Sequence, residues 1–248
     1  MDTNALFSIA GKTAVVTGGS RGIGRMIAEG FISAGADVYI TARKAEACDE
    51  AAAELNEIGP GKCVSLPFDI AGEVGATAFA AMIAERTPKV DILVNNAGAT
   101  WGAPIDDFPD SAWDKVLDVN VKGLFQLTAK LLPQLKAAAT AQDPARVINI
   151  GSVDGINVPG TQNYAYAASK AAVHHLTRQM AHNLTRDHIT VNAIAPGPFR
   201  SKMMAFILDN EGGEEMVGKG VPLGRIGSPE DVAGLAIFLS SRAGAYLT

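Results

Sequence analysis

Six short runs of apolar, largely β-branched residues recur along the chain: TAVVT at 13–17, DVYIT at 37–41, KCVSLPF at 62–68, VDILVN at 90–95, RVINIG at 146–151 and ITVNAI at 189–194. Between them lie longer Ala-rich segments of helical period, such as IGRMIAEGFISAGA and AEACDEAAAELNEIG, each closing on Gly. A strand buried on one face alternates apolar with polar residues. These runs are continuous, so both faces are expected to be covered. Strands of that kind alternating with helices specify a parallel sheet with helices on both sides, the doubly wound, Rossmann-type α/β fold.

No Pro/Ser/Gly-rich linker interrupts the alternation, so residues 1–248 are read as a single domain. Residues 196–224 form an insertion rich in Gly, Met and charge. After the helix-like PEDVAGLAIFLSS the sequence stops at AYLT with no further strand.

Charge narrows the choice of partners. The net charge is −5 and the Lys and Arg residues are scattered, so neither nucleic acid nor an anionic membrane surface is expected as a partner. The N-terminal MDTNALFSIAGKTAVVTGG lacks a basic stretch followed by an apolar one, and no apolar run approaches the roughly 18 residues of a membrane span. Cys48 and Cys63 form no CxxC pair. The expectation is a cytoplasmic protein with two reduced, structural thiols.

The first strand runs into TGGSRGIG at 17–24, which opens the first long helix. A helix N-terminus offers free N–H groups and a dipole that favours an anion. Gly18, Gly22 and Gly24 remove the Cβ atoms that would keep a diphosphate away. The spacing is Gly-x-x-x-Gly-x-Gly rather than Gly-x-Gly-x-x-Gly. With NNAG at 95–98, Asn120, Gly-Ser at 151–152, Tyr166 with Lys170, Pro-Gly at 196–197 and PLGRIGSPEDVA at 222–233, this sequence resembles the short-chain dehydrogenase/reductase family along nearly its whole length. The nearest branch is that of the 3-oxoacyl-(acyl-carrier-protein) reductases, including those tied to rhamnolipid synthesis.

The resemblance implies a nicotinamide cofactor held by Gly18, Ser20, Arg21, Gly22, Ile23 and Gly24, by Asp69 and Ile70 around the adenine, and by Asn96, Ala97 and Gly98 along the ribose. Pro196, Gly197 and Ser201 complete that site, with Ser201 taking the place of a family Thr that touches the carboxamide. Members that prefer NAD carry an acid just after the second strand to hold the ribose 2′-hydroxyl. Here Ala42 and Arg43 follow DVYIT, and Asp37 stands at its other end. Arg43 and Arg21 suit a 2′-phosphate, so NADP(H) is expected.

YAYAASK at 164–170 offers two tyrosines and one lysine. Four residues of helix advance about 400°, which puts Tyr166 and Lys170 within roughly 40° of one face, whereas six turn Tyr164 some 120° away. A free phenol titrates near 10, and an adjacent cation is expected to lower that value. By resemblance, Tyr166 is the acid/base, Lys170 tunes it and binds the nicotinamide ribose, Ser152 polarises the substrate carbonyl, and Asn120 holds a water that relays protons to Lys170. Relatives space Ser and Tyr thirteen apart. Here Ser152 stands fourteen before Tyr166 and twelve before Tyr164, and the Gly/Pro-rich DGINVPGTQN between them can absorb one residue.

Other polar residues carry less. His174, His175, His182 and His188 lack metal-ligand spacing, so no metal is expected, and His174 and His175 are read as packing in a helix–helix or subunit contact. Asp106, Asp107 and Asp110 read as a solvated loop and a helix N-cap. Trp101 either packs its loop or lines a substrate cleft. Met203, Met204, Phe206, Ile207 and Leu208 form either an adaptable cover for an acyl substrate or an ordinary amphipathic helix.

The expected activity is NADPH-dependent reduction of a 3-oxoacyl thioester, on carrier protein or coenzyme A. The alternatives are a dehydrogenase of another secondary alcohol, such as a steroid or polyol, and a silent NADP-binding sensor. The resemblance also implies a homodimer or homotetramer joined through the helices beginning near Asp110 and Asn163. Relatives continue past YLT into a last strand that helps subunits pack, so a sequence stopping at Thr248 is expected to lack that strand.

Overall fold

A computed structural model describes residues 1–248. After a short helix α1 (Thr3–Phe7), strands and helices alternate: β1 (Thr13–Thr17), α2 (Gly22–Ser33), β2 (Asp37–Thr41), α3 (Ala45–Leu55), β3 (Cys63–Ser65), α4 (Gly72–Ala84) and β4 (Ile92–Asn95). Next come α5 (Asp110–Leu117), a π-helical stretch at Asp118–Gly123, α6 (Leu124–Lys130), α7 (Leu132–Ala138), β5 (Ala145–Ile150), α8 (Tyr164–Leu184) and β6 (Ile189–Ile194). Two short helices, α9 (Ala205–Leu208) and α10 (Gly213–Lys219), occupy the insertion, and α11 (Pro229–Ser240) follows.

The six strands are parallel, in the order β3-β2-β1-β4-β5-β6. The sequence runs locate all six to within a few residues, and only β3 is much shorter than its run. Alternate residues of each central strand enter opposite cores. Ala14, Val16, Ile92, Val94 and Ile148 meet α2, α3 and α11 on one face, through Ile27, Phe31, Cys48, Val232 and Leu239. Val15, Leu93 and Val147 meet α4, α6 and α8 on the other, through Phe79, Ile83, Leu127, Val173 and Met180. Every residue of β5 is buried, as continuous apolar runs require of a strand covered on both sides.

Buried polar groups pin the sheet where it meets the site. Asn95 and Asn149 are partners in the β4–β5 register. Asn95 Nδ2 donates to Asn149 Oδ1 (2.9 Å) and to Thr128 Oγ1 of α6 (3.0 Å). Asn149 Nδ2 donates to Thr177 Oγ1 of α8 (2.9 Å). Because unpaired amides are costly in an apolar core, this chain of bonds fixes the two strands relative to α6 and α8.

Arg146, 1 % exposed, ties β5 to the end of α11. Its Nε donates to the Leu239 carbonyl (3.1 Å), and one terminal nitrogen donates to the Ser241 carbonyl (2.8 Å) and to Asp143 (3.0 Å). The cation thus meets the carbonyl-rich end of a helix, where a positive charge is favoured. Arg146→Met strands those carbonyls and the Asp143 carboxylate, and is expected to lower unfolding free energy by about 3 kcal/mol. Urea unfolding measures this. Arg146→Lys should recover little of the loss, since one ammonium cannot reproduce the fork.

Candidate active site

At the carboxyl ends of β1 and β4, neighbours in the sheet whose connections leave in opposite directions, the doubly wound fold opens a crevice. The glycine loop sits there. Gly18 has φ +65°, and a Cβ on it would lie 2.9 Å from Asn96 Nδ2. Asn96 Nδ2 donates to the Thr17 carbonyl (2.8 Å) and the Gly18 carbonyl (3.2 Å). The NNAG turn therefore braces the loop from beneath. A Cβ on Gly24 would strike both Asn96 Nδ2 and Gly18 O, so the loop and α2 can close on one another only with glycine here.

Arg21, at the N-cap of α2, makes no side-chain cap bond, which leaves the first amides of a 12-residue helix open to an anion. Ile23 packs against the core below the loop. Gly22 faces Ser201, whose Cβ would lie 3.3 Å from a Cβ placed on that glycine. The insertion thus comes back over the loop. Pro196 is buried beside Ser152, its carbonyl accepting from Val153 N–H (3.1 Å), while Gly197 has open space where a side chain would stand.

Ser20 is half-buried in the turn. Arg43 is exposed two residues beyond β2, beside the β1 end that leads to the exposed Arg21, and neither arginine forms an ion pair. Asp37 lies at the far end of β2, accepting from Lys62 N–H (3.0 Å). Asp69 is exposed beyond β3, with Oδ1 accepting from Ala71 N–H (3.1 Å), and Ile70 beside it is buried. An uncapped helix start, a loop cleared of Cβ atoms and two unpaired guanidinium groups fit a phosphorylated dinucleotide.

On the other side of the crevice, β5 delivers Ser152 and α8 delivers Tyr166 and Lys170. Tyr164 is the first residue of α8, so the arithmetic from helix periodicity applies to the whole YAYAASK stretch. Lys170 Nζ lies 5.6 Å from the centroid of the Tyr166 ring. Tyr164 instead turns to Phe108, edge to face at 5.6 Å. The Ser152 hydroxyl lies near enough to the Tyr166 phenol to lower its pKa, so the loop absorbs the additional residue between them.

Lys170 is 5 % exposed and donates to the Ile150 carbonyl (2.7 Å). Burial lowers its pKa to about 8. The expected lowering of the Tyr166 pKa is not what the site produces. Burial of the phenol raises it, the Ser152 hydroxyl pulls it back, and the Asp154 carboxylate raises it further. Burial of the ring is the largest of these effects, and the phenol keeps its proton.

Asn120 lies in the π-helical stretch between α5 and α6, a wider turn often found at functional sites, and is 2 % exposed. Its Oδ1 accepts from Ala99 N–H (2.8 Å), and Nδ2 donates to the Ala99 carbonyl (3.0 Å) and to Ser169 Oγ (2.9 Å). Both amide hydrogens are committed to protein, which leaves one Oδ1 lone pair for a water. A Cβ on Gly98 would stand 3.4 Å from that oxygen and 3.9 Å from Lys170 Nζ, so the space between the two groups exists because residue 98 is glycine.

Several residues read differently in three dimensions. His174 packs against the backbone of Ser152 rather than in a helix–helix contact. Asp110 is the first residue of α5 and Pro109 holds the cap position. Trp101 is 42 % exposed with Lys115 5.5 Å above its ring. In the insertion, Leu208 is buried while Met203 and Phe206 are exposed, so the segment both packs and presents apolar surface. Asp154, which sequence reasoning passed over, was hidden because its effect on Tyr166 comes from the turn geometry after Ser152. No helix is long and apolar enough to cross a membrane, and no group of three or more His, Cys, Asp or Glu could hold a metal ion.

The geometry makes a sharp distinction between the tyrosines. Tyr166→Phe is expected to cut carbonyl reduction by about 10³-fold or more while leaving nucleotide binding intact, and Tyr164→Phe to keep most activity. Initial rates together with nucleotide fluorescence titrations check both.

Comparison with known proteins agrees with this architecture. A family model described as short chain dehydrogenase matches residues 12–212. The rhamnolipids biosynthesis 3-oxoacyl-[acyl-carrier-protein] reductase of Pseudomonas aeruginosa is 50% identical over 242 residues, 98% of this chain and 94% of that protein. The 5-keto-D-gluconate 5-reductase of Escherichia coli is 34% identical over 244 residues, 98% and 94% of the two chains. Among solved structures, an NADP active-site complex of Pseudomonas aeruginosa RhlG superposes with a TM-score of 0.95 at 49% identity, covering 98% of this chain and 94% of that one. With the parallel sheet, the glycine loop and the Ser152–Tyr166–Lys170 grouping already in place, these matches establish that the chain belongs to the short-chain dehydrogenase/reductase family of oxidoreductases.

Proposed function

We propose that the protein is an NADPH-dependent reductase of 3-oxoacyl thioesters, carried on coenzyme A or on a carrier protein. The observation that carries the substrate class is the apolar rim of the crevice. Trp101, Ile156 and Val158 are exposed after β4 and β5, and Met203 and Phe206 are exposed in the insertion that follows β6. Together they offer an acyl chain a surface beside Tyr166. The 50% identical relative is named for that chemistry.

The cofactor would be held by the uncapped start of α2, by Asn96, Ala97 and Gly98, and by Lys170. Arg21 and Arg43 would take the 2′-phosphate that distinguishes NADP from NAD. When bound, the nicotinamide supplies the hydride. Ser152 and Tyr166 bind the carbonyl oxygen of the substrate, and Tyr166 gives it the proton as negative charge develops there. The high pKa of the buried phenol keeps that proton on Tyr166 until the oxygen needs it. The Lys170 ammonium then offsets the phenolate, and the gap before Gly98 gives a water access from Asn120 to Lys170 for reprotonation.

The 34% identical relative favours a second reading, reduction of a keto sugar acid. Asp154 weighs against it. Its carboxylate accepts from Asn163 Nδ2 (3.0 Å) and raises the Tyr166 pKa, so it also opposes a carboxylate brought to the same place. We further propose a homo-oligomer joined through α5, α6 and α8, where Leu117 and Phe125 stand exposed. A reducing cytoplasm suits the buried, unpaired Cys48 and Cys63.

Initial rates with acetoacetyl-CoA and with 5-keto-D-gluconate, each with NADPH and NADH, test the reading. The expected result is a kcat/KM at least about tenfold higher for acetoacetyl-CoA with NADPH than for either alternative. Equal or faster reduction of the sugar acid would overturn the substrate class. Binding of NADPH with no reduction of any carbonyl would point to a sensor.

A further inference from the structure

We propose that His174 is a positioning residue for Ser152, fixing the hydroxyl that meets the substrate carbonyl. This rests on the reading of Ser152 and Tyr166 as the groups that bind that carbonyl.

The argument starts from helix geometry. His174 follows Lys170 by four residues on α8, so the two side chains share a face. That face runs along the end of β5 and the residues after it. Lys170 takes the carbonyl of Ile150 (2.7 Å), and two residues on, His174 Nε2 lies 3.0 Å from the carbonyl of Ser152. The Ser152 N–H is 3.5 Å from the same nitrogen. The shorter contact requires the proton on Nε2, which donates to the carbonyl. One helix face thus grips alternate carbonyls of the segment that presents the serine.

Two glycines admit the imidazole. A Cβ on Gly151 would stand 2.7 Å from His174 Nε2. A Cβ on Gly155 would stand 2.9 Å from His174 Cδ2 and 2.5 Å from the Lys170 carbonyl carbon. The ring is therefore held against the turn from Gly151 to Gly155. Within that turn Ser152 is extended (φ −168°, ψ 154°), and its Oγ accepts from Asp154 N–H (3.1 Å). Past the end of the β5–β6 ladder, the imidazole is the side chain that holds the Ser152 carbonyl, which also accepts from Gly155 N–H (3.0 Å).

His174 also lines a groove of about 710 Å³ between α8 and β6, with Thr177, Arg178 and Val191. The imidazole therefore acts on Ser152 from the side of the sheet edge and touches no reacting atom.

Steady-state kinetics of three variants test this, with NADPH binding and melting temperature measured alongside. Gln carries a donor at the reach of Nε2, Asn does not, and Phe keeps the ring without a donor. His174→Phe and His174→Asn should lose about tenfold or more in kcat with NADPH affinity within about twofold of wild type, and His174→Gln should recover most of that kcat. If His174→Phe does not fold, the Gln and Asn pair decides alone. Loss of stability in all three with wild-type kcat, or equal loss of kcat in Gln and Asn, would overturn the proposal.

Imidazole ¹⁵N NMR gives a readout that needs no turnover. A neutral His174 protonated on Nε2 supports the contact, and protonation on Nδ1 alone would overturn it. Should the wild-type protein reduce no carbonyl, the proposed function fails while the NMR result still decides the contact.

Discussion

An ammonium group buried to within a few per cent of completely is the constraint around which this structure is arranged. Lys170 meets a single protein acceptor, the carbonyl of Ile150, and the missing hydration brings its pKa down to about 8. The sign of the linkage follows. An unfolded lysine keeps its proton until about pH 10.4, so below about 8 both states are charged and the folded one bears the desolvation, of order 3 kcal/mol. That deficit fades as pH rises from about 8 towards 10.4. A fold built for stability alone would place methionine here. In the proposed reaction the partners of this cation, a ribose and a transient phenolate, would arrive only with nucleotide and substrate.

The rest of the molecule holds that cation and its neighbours at one edge of the sheet. β5, with all six residues buried, brings Ile150 and then Ser152 to the crevice. The Asn95–Asn149 bridge locks β4 to β5 and reaches α6 and α8 through Thr128 and Thr177. The same α8 carries Tyr166, Lys170 and His174 at four-residue steps. Across the crevice, the NNAG turn supports the glycine loop from below while the insertion returns to it at Ser201. The chemistry therefore needs no exceptional residue, only common ones whose separation is set by regular elements.

What could be read from the chain divides along the same physical line. The parallel sheet was legible because burial on both faces leaves continuous apolar runs. The pairing of Lys170 with Tyr166 rather than Tyr164 was legible because a four-residue helical step is local and stiff. Asn120 was located but its commitments were not, since the π-helical turn that swings it towards Ala99 and Ser169 leaves no pattern in DVNVKG. The upward shift of the Tyr166 phenol escaped prediction because it depends on how many apolar atoms surround the ring and on Asp154, twelve residues earlier. His174 misled for a related reason: its partner is a backbone carbonyl, and backbone has no sequence signature.

The claim that a desolvated ammonium organises the site is open to direct observation. In protein carrying ¹³C-labelled lysine, the Lys170 resonance can be assigned by its absence in Lys170→Met and followed against pH without nucleotide. The account predicts a midpoint near 8. A Lys170 midpoint at the free-lysine value of about 10.4 would contradict it.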